Sequence, residues 1–431
     1  MRPGRDVTGG ARSRPESPRA ETPGAALPAA AGGRLVALRS RDFRLLLAGQ
    51  LVSLTGTQMQ QVAVVWQLYL LTGSPLALGM LGLFRVAPIA LFALGGGVLA
   101  DAFDRRKLML LTQSALALVS ATLAVLAHAQ KTTPAALYAL AFVAGAATAF
   151  DSPARQALIP RLVDKSQLSN ALSLYVTVFQ VGTIAGPALG GLLLATTGPT
   201  FIYVVDVLSY GVVIGALLAL RHRHTGRGGS PISLGAIAEG LRFLRGAPII
   251  WSTMLLDFVA TFFAGSLLLL PIFADQLLHV GPRGLGFLYA AQPVGAALTG
   301  AALSSMRAIR RQGPAVLWSV AVYGASIALF GLSPWFWVSF LLLAVSGAAD
   351  MVSAVIRNIV RQSLTPDELR GRMSSVVMIF FMGGPQLGEV EAGAVARFFG
   401  ARFAVASGGA LCVLAVAAAA LLVPQLRRYE G

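Results

Sequence analysis

The chain is predicted to be an all-α membrane protein with twelve transmembrane helices in two six-helix repeats. Three observations lead there. Of its 431 residues, 56% are hydrophobic and only 12% charged, against about 25% charge in a soluble domain. Apolar runs of roughly 20 residues recur from residue 43 to the C-terminus, each long enough to cross a hydrocarbon core of ~30 Å. The ~10-residue alternating segments of a transmembrane β-barrel are absent from the sequence.

Residues 1–33 are rich in Pro, Gly, Ala and Arg without apolar periodicity, so 1–40 is expected to be a disordered cytoplasmic tail. Spans follow at about 43–71, 76–100, 107–127, 133–154, 169–195 and 200–220, then 248–273, 284–304, 314–332, 335–356, 374–397 and 402–424. The resulting units are an N-terminal bundle (41–221), a cytoplasmic linker (222–247), a C-terminal bundle (248–424) and a short cytoplasmic tail (425–431). In the linker, Leu234, Ile237, Leu241 and Leu244 recur at helical spacing between Glu239, Arg242 and Arg245, the pattern of an amphipathic helix on a membrane surface.

Charge sets the orientation. Loops after the even-numbered spans hold Arg105, Arg106, Lys107, Arg155, Arg161, Lys165, Arg221, Arg307, Arg357, Arg361 and Arg370 among others; the opposite loops hold only Lys131, Arg283, Arg397 and Arg402. Both termini are therefore expected in the cytoplasm. The net charge of +16 is accounted for by this crowding, and no nucleic-acid partner is implied. Cys412 is the single cysteine, so no intramolecular disulfide forms, and His128, His222, His224 and His279 make no metal-ligand spacing. There is no phosphate-cradling glycine-rich loop and no nucleophile elbow. The sequence thus predicts no enzyme and no cofactor.

The halves look duplicated. Gly145-Ala146-Ala147 through Arg155, Leu168 and Ser173 is echoed by Gly347-Ala348-Ala349 through Arg357, Leu369 and Ser374, at a spacing of 201–202 residues. Gly186-Pro187-Ala188-Leu189-Gly190 is echoed by Gly384-Pro385-Gln386-Leu387-Gly388. Six-span repeats mark secondary transporters, with a binding site near the midplane between them. The most abrupt feature lies between spans 2 and 3, where Gly95-Gly96-Gly97-Val98-Leu99-Ala100 gives way to Asp101, Asp104, Arg105, Arg106 and Lys107. Glycines allow close backbone approach, and an acid four residues before an arginine can form a charge-assisted hydrogen bond in a tight turn.

These residues resemble the major facilitator superfamily. Gly97-x-Leu99-Ala100-Asp101-x-x-Asp104-Arg105-Arg106 is similar to its motif A, with Asp104 where a second glycine is usual, in the form typical of the enterobactin-exporter-like branch. Gly182-x-x-x-Gly186-Pro187-x-x-Gly190-Gly191 is similar to motif C of drug/proton antiporters, with Ser173 where the longer form has glycine. The resemblance covers roughly residues 40–425. It implies the major facilitator fold, with spans 1, 4, 7 and 10 lining a cavity. It also implies a latch in which Asp101 and Asp151 bond Arg105 beside the N-terminus of span 11; the alternative is a turn whose charges only set topology. For motif C, the stripe Gly182, Gly186 and Gly190, bent at Pro187, is expected to contact a span of the other half. Ordinary small-residue packing is the alternative.

Charged residues inside spans each cost about 2.5–3.5 kcal/mol to insert and should face a partner or a wet cavity. They are Arg85, Asp206, Asp257, Asp350, Glu389 and Glu391. Asp257 and Asp350 are candidates for a proton or a cationic substrate; structural hydrogen bonding is the alternative, and the one preferred for Asp206. Arg85 and Glu389 fall at similar depth and are expected to pair across the halves, with Glu391 the other possible partner. Span 1 adds Gln50, Gln58, Gln60 and Gln61 with Trp66 and Tyr69, which suit an amphipathic organic substrate. The resulting expectation is a monomeric, proton-driven exporter of a siderophore or drug in a bacterial inner membrane. Its partners are lipid, protons and a small molecule. An importer or lysophospholipid flippase on the same fold, or a transport-inactive receptor or assembly protein, are the alternatives.

Overall fold

A computed structural model describes residues 35–102, 104–221, 242–244, 246–265, 267–306, 309–366 and 369–430, with the backbone alone along 93–102, 370–372 and 374–382. The expected tail through residue 34 and linker residues 222–241 lie outside the described residues. The long helices are α1 (Arg41–Thr72), α2 (Pro75–Ala102), α3 (Arg105–His128), α4 (Pro134–Leu158), α5 (Leu168–Thr197) and α6 (Pro199–Ala219). They continue as α7 (Pro248–Ala264), α8 (Gly281–Ser305), α9 (Gln312–Leu332), α10 (Phe336–Leu364), α11 (Arg370–Phe399) and α12 (Ala401–Leu422).

Local chemistry sets the ends. Ser40 accepts from the Phe43 amide, Asp104 from Arg106 and Thr133 from Ala136, each satisfying a donor of a first helical turn. Pro75, Pro134, Pro199 and Pro248 open their helices, where the missing amide hydrogen costs nothing. Gly73 closes α1 at φ 58°, a left-handed cap that side chains resist. Among the described residues, nine helical stretches are long and apolar enough to cross a membrane, namely α2–α6, α9, α10, α12 and the run from α7 on to Leu277. By sequence, α1, α8 and α11 are richer in glutamine, glycine and charge.

Three predicted spans need correction. The apolar span expected at 248–273 is present and extends to Leu277, but its regular helix ends at Ala264; Gly265 leaves helical geometry, and short helical turns run from Leu267 to Leu277. Pro271, with no amide hydrogen to donate, lies within those turns. Helices α4 and α10 outrun their apolar stretches, to Leu158 and Leu364. Arg155 and Arg357, expected in loops, are therefore helical. In the linker, Leu244 is buried against Ile250, Met254 and Met373.

The packing repeats. Helix α1 packs on α5 and α6, α2 on α4, and α3 on α4 and α6; α7 packs on α11 and α12, α8 on α10, and α9 on α10 and α12. The second set is the first, shifted by six elements. Two long contacts join the halves: α5 against α8 and α2 against α11.

Candidate functional site

Both junctions between the halves rest on small residues. A Cβ on Gly191 of α5 would come within 2.7 Å of Gly286 Cα on α8, and Gln180 donates to Pro293 O at 2.8 Å. On the other side, Gly79 and Gly82 of α2 lie against the backbone and carboxyl group of Glu389 on α11. The stripe Gly182, Gly186 and Gly190 does not cross to the other half, as the sequence led us to expect. It packs on Leu54, Thr55, Gln58 and Met59 of α1 in its own half, and Pro187 and Gly191, on the neighbouring face, reach Gly286. Residues four apart share one face, so one stripe can serve only one neighbour. The echo behaves identically, with Gly384 and Gly388 against Phe258, Thr261 and Phe262 of α7.

At one end the halves are also tied by side chains. Tyr69 donates to Asp275 Oδ2 at 2.6 Å and accepts from Gln276 Nε2 at 3.0 Å. This charge-assisted tie joins α1 to the irregular segment after α7. Tyr69→Phe removes both bonds, and a hydrogen bond to a charged group contributes about 1.5–3 kcal/mol. A cysteine placed at buried Val65 in a Cys412→Ala background should then react with a thiol reagent about tenfold faster from this end.

Toward the other end of the helices lie two related charge clusters. Arg155 on α4 pairs with Asp151 at 3.0 Å and donates to Gln50 Oε1 of α1 at 2.6 Å; Thr112 and Gln113 of α3 each donate to Asp151 Oδ1 at 2.9 Å. Asp151 thus takes Arg155 in place of the expected Arg105, because a carboxylate and an arginine four residues apart on one helix face each other. In the second half, Arg357 on α10 pairs with Asp257 of α7 at 2.7 Å and with Asp350 at 3.7 Å, and donates to Ser353 Oγ at 2.9 Å. Asp257 and Asp350 are therefore brought together by an arginine that sequence reading assigned to a loop. The available signal was the repeat, which contains both Arg155 and Arg357.

The rest of motif A is quieter. Asp104 caps α3, Arg106 Nη2 donates to Leu218 O of α6 at 2.8 Å, and Arg105 is buried. Gly97 and Asp101 lie on α2 where side chains are outside the described residues.

Asp206 is fully buried on α6. Ser120 Oγ of α3 donates to its Oδ2 at 2.7 Å and accepts from Gln60 of α1 at 2.6 Å, while Ser209 Oγ lies 3.2 Å from Oδ1. Gly56 leaves room for this junction of three helices. Asp206→Leu should lower unfolding stability in detergent by about 1–3 kcal/mol, and Asp206→Asn should retain most of it, as a thermal melt would register.

Two cavities meet at the centre. A chamber of about 400 Å³ in the first half is lined by Gln50, Gln58, Gln61, Arg85, Asp151 and Arg155. A second, of about 240 Å³, lies between the halves and is lined by Gln58, Gln61, Arg85, Tyr289, Gln292 and Glu389. Gln58, Gln61 and Arg85 form the wall common to both. Arg85 and Glu389 share the second cavity and attract one another electrostatically, without reaching ion-pair distance among the described residues. Glu391 has only burial acting on it and does not line either cavity. Among the described residues no group of acids, histidines or cysteine is arranged to hold a metal.

This arrangement of paired bundles about a polar centre has known relatives. The chain is 28% identical over 391 residues to an enterobactin exporter of Escherichia coli O1:K1, covering 90% of this chain and 93% of the relative. It matches the same extent, at the same identity, of the enterobactin exporter of Shigella boydii. Among solved structures it superposes on a bacterial homologue of the human lysosomal transporter spinster, inward-facing and unoccupied, with TM-score 0.72 at 16% identity over 91% of this chain and 98% of that one. A bacterial homologue of the iron transporter ferroportin, inward-facing, gives TM-score 0.69 at 15% identity, covering 90% and 99%. These neighbours establish the major facilitator fold. A family profile described as transmembrane secretion effector matches residues 32–431. The chain belongs to that family of membrane transporters.

Proposed function

We propose that this protein exports a small amphipathic molecule, a siderophore or a drug, across a bacterial inner membrane in exchange for protons, by alternating access. Both termini lie in the cytoplasm and the tied Tyr69 end faces outward, as the distribution of Arg and Lys over the loops supports. The description of the relatives as enterobactin exporters supports a siderophore as cargo.

The observation that carries the reading is Arg357 between two carboxylates, 2.7 Å from Asp257 and 3.7 Å from Asp350. A proton arriving at Asp257 Oδ1 neutralises the closer partner and leaves Arg357 to Asp350. The α7–α10 contact is thereby loosened without leaving the cation uncompensated. Asp257 joins the two sides of that contact, so its protonation state is coupled to the position of α7. In inverted membrane vesicles carrying a pH gradient, Asp257→Asn should lower gradient-driven uptake of a fluorescent dye or a catecholate siderophore at least about tenfold, while exchange without a gradient persists. Undiminished gradient dependence in the variant would refute the proton role. Movement of the probe in the opposite direction would make the protein an importer, and no flux of any probe would favour a receptor.

A further inference from the structure

The cluster between the halves has a chemistry that the charge switch leaves unused. Arg85 makes no hydrogen bond or ion pair among the described residues, although it stands at the middle of α2. Its guanidinium stays charged in any environment and carries five N–H donors. The Tyr289 hydroxyl is buried without a hydrogen-bond partner among the described residues. Gln58 and Gln61 present amides to the same wall, again with no hydrogen bond among the described residues. The nearest acid does not satisfy these donors. Glu389 is tethered to the α2–α11 junction, where Gln386, its amide turned to suit its neighbours, donates to Glu389 Oε2 at 3.2 Å and to Gly82 O at 3.1 Å.

The internal repeat sharpens the point. At an offset of 204 residues, Gly82 and Arg85 of α2 correspond to Gly286 and Tyr289 of α8; at the 198-residue offset of the Gly186/Gly384 echo, Gly191 of α5 corresponds to Glu389 of α11. Arg85 and Tyr289 are therefore equivalent positions, brought to face one cavity from opposite halves. A donor-rich pocket of about 240 Å³ closed by a tethered counter-charge is complementary to an anion bearing oxygen acceptors.

We propose that Arg85, Tyr289, Gln58 and Gln61 form the recognition site for a carboxylate or other oxyanion group of the cargo. This proposal deepens the export reading and rests on it. The anion takes the guanidinium fork, Tyr289 donates from the opposite half, and the amides of α1 orient the remaining oxygens. Because the donors come from both halves, binding draws α2 and α8 toward one another. Neutral analogues of the same shape lose the charge-assisted bonds and keep only the apolar contact.

The test uses the full-length protein purified in detergent and two probes of closely similar shape, anionic salicylate and neutral salicylamide, in which an amide NH2 replaces one carboxylate oxygen, read by calorimetry. Wild type should bind salicylate at least about tenfold tighter than salicylamide. Arg85→Gln should abolish that preference while leaving salicylamide affinity within about threefold, which shows the pocket to be intact. Arg85→Lys should retain part of the preference, since it keeps the charge and loses the fork. Tyr289→Phe, which removes one oxygen, should weaken salicylate about threefold or more and spare salicylamide. Equal affinities for the two probes, no binding of either, or a preference that survives Arg85→Gln would overturn the proposal. Efflux in vesicles is read independently. Gradient-driven efflux with no anion preference refutes this site and keeps the exporter; an Arg85-dependent preference without efflux does the reverse.

Discussion

Arg357→Gln is expected to abolish transport and to lower the stability of the second bundle. The guanidinium holds two carboxylates that face it from α7 and from its own helix, at 2.7 and 3.7 Å. Removing it leaves like charges sharing one site with no compensating donor but water. Breaking a fully buried pair costs about 3–5 kcal/mol. Here the Asp350 side chain is 52% exposed, so screening reduces the effect, and about 1–3 kcal/mol is the figure to test. Arg357→Lys should fall between, keeping the charge while losing simultaneous reach to Asp257, Asp350 and Ser353. The decisive comparison is the double variant Asp257→Asn with Arg357→Gln. If the pair is the reason for the loss, the double variant should regain at least half of the stability lost by Arg357→Gln alone in a thermal melt. Equal losses in the single and double variants would show that Arg357 acts through something else.

Gly191→Val should reduce transport about a hundredfold or more while the protein still folds. A Cβ at this position would come within 2.7 Å of Gly286 Cα and 2.8 Å of its amide nitrogen, and both neighbours are backbone that cannot rotate away. The α5–α8 junction must then separate, and with it the end tied by Tyr69 and Asp275. Each half packs within itself, so the damage falls on the contact between them and not on either bundle. Cysteine accessibility at Val65 should rise as it does for Tyr69→Phe, but further. Gly211→Val on α6 provides the control, since a Cβ there meets nothing within 4 Å. Comparable transport by the Gly191 and Gly211 variants would mean that the close approach of α5 and α8 is dispensable.

Hydropathy is a local property, and it located the helices to within a few residues where apolar stretch and helix coincide. It failed where they do not. Arg155 and Arg357 lie near the C-terminal ends of α4 and α10, and an arginine beyond an apolar run reads as a loop residue even when its helix continues to Leu158 or Leu364. The break after Ala264 was masked by the apolar run Leu267-Leu268-Leu269-Leu270, which satisfies a hydropathy window without being one helix. Side-chain partnerships across long separations were less legible still. Tyr69 and Asp275 are 206 residues apart, and nothing in either neighbourhood names the other. That Arg85 and Glu389 share one cavity was legible, because two charges of opposite sign at matching depth in a membrane have few places to go, but the expected ion pair is not formed among the described residues. The direction in which the motif C stripe faces was not, since Gly182, Gly186 and Gly190 would look the same against any neighbour.

The substitution of Glu389 for the glycine that its repeat-mate Gly191 retains makes the two seams between the halves unlike in kind. The α5–α8 seam sets backbone closely against backbone, with a neutral hydrogen bond from Gln180 to Pro293 O. The α2–α11 seam carries a formal charge beside a guanidinium in a medium that magnifies both. A duplicated architecture thereby acquires a polarity across its own pseudo-dyad: one seam is uncharged backbone contact, and the other holds an acid and a base.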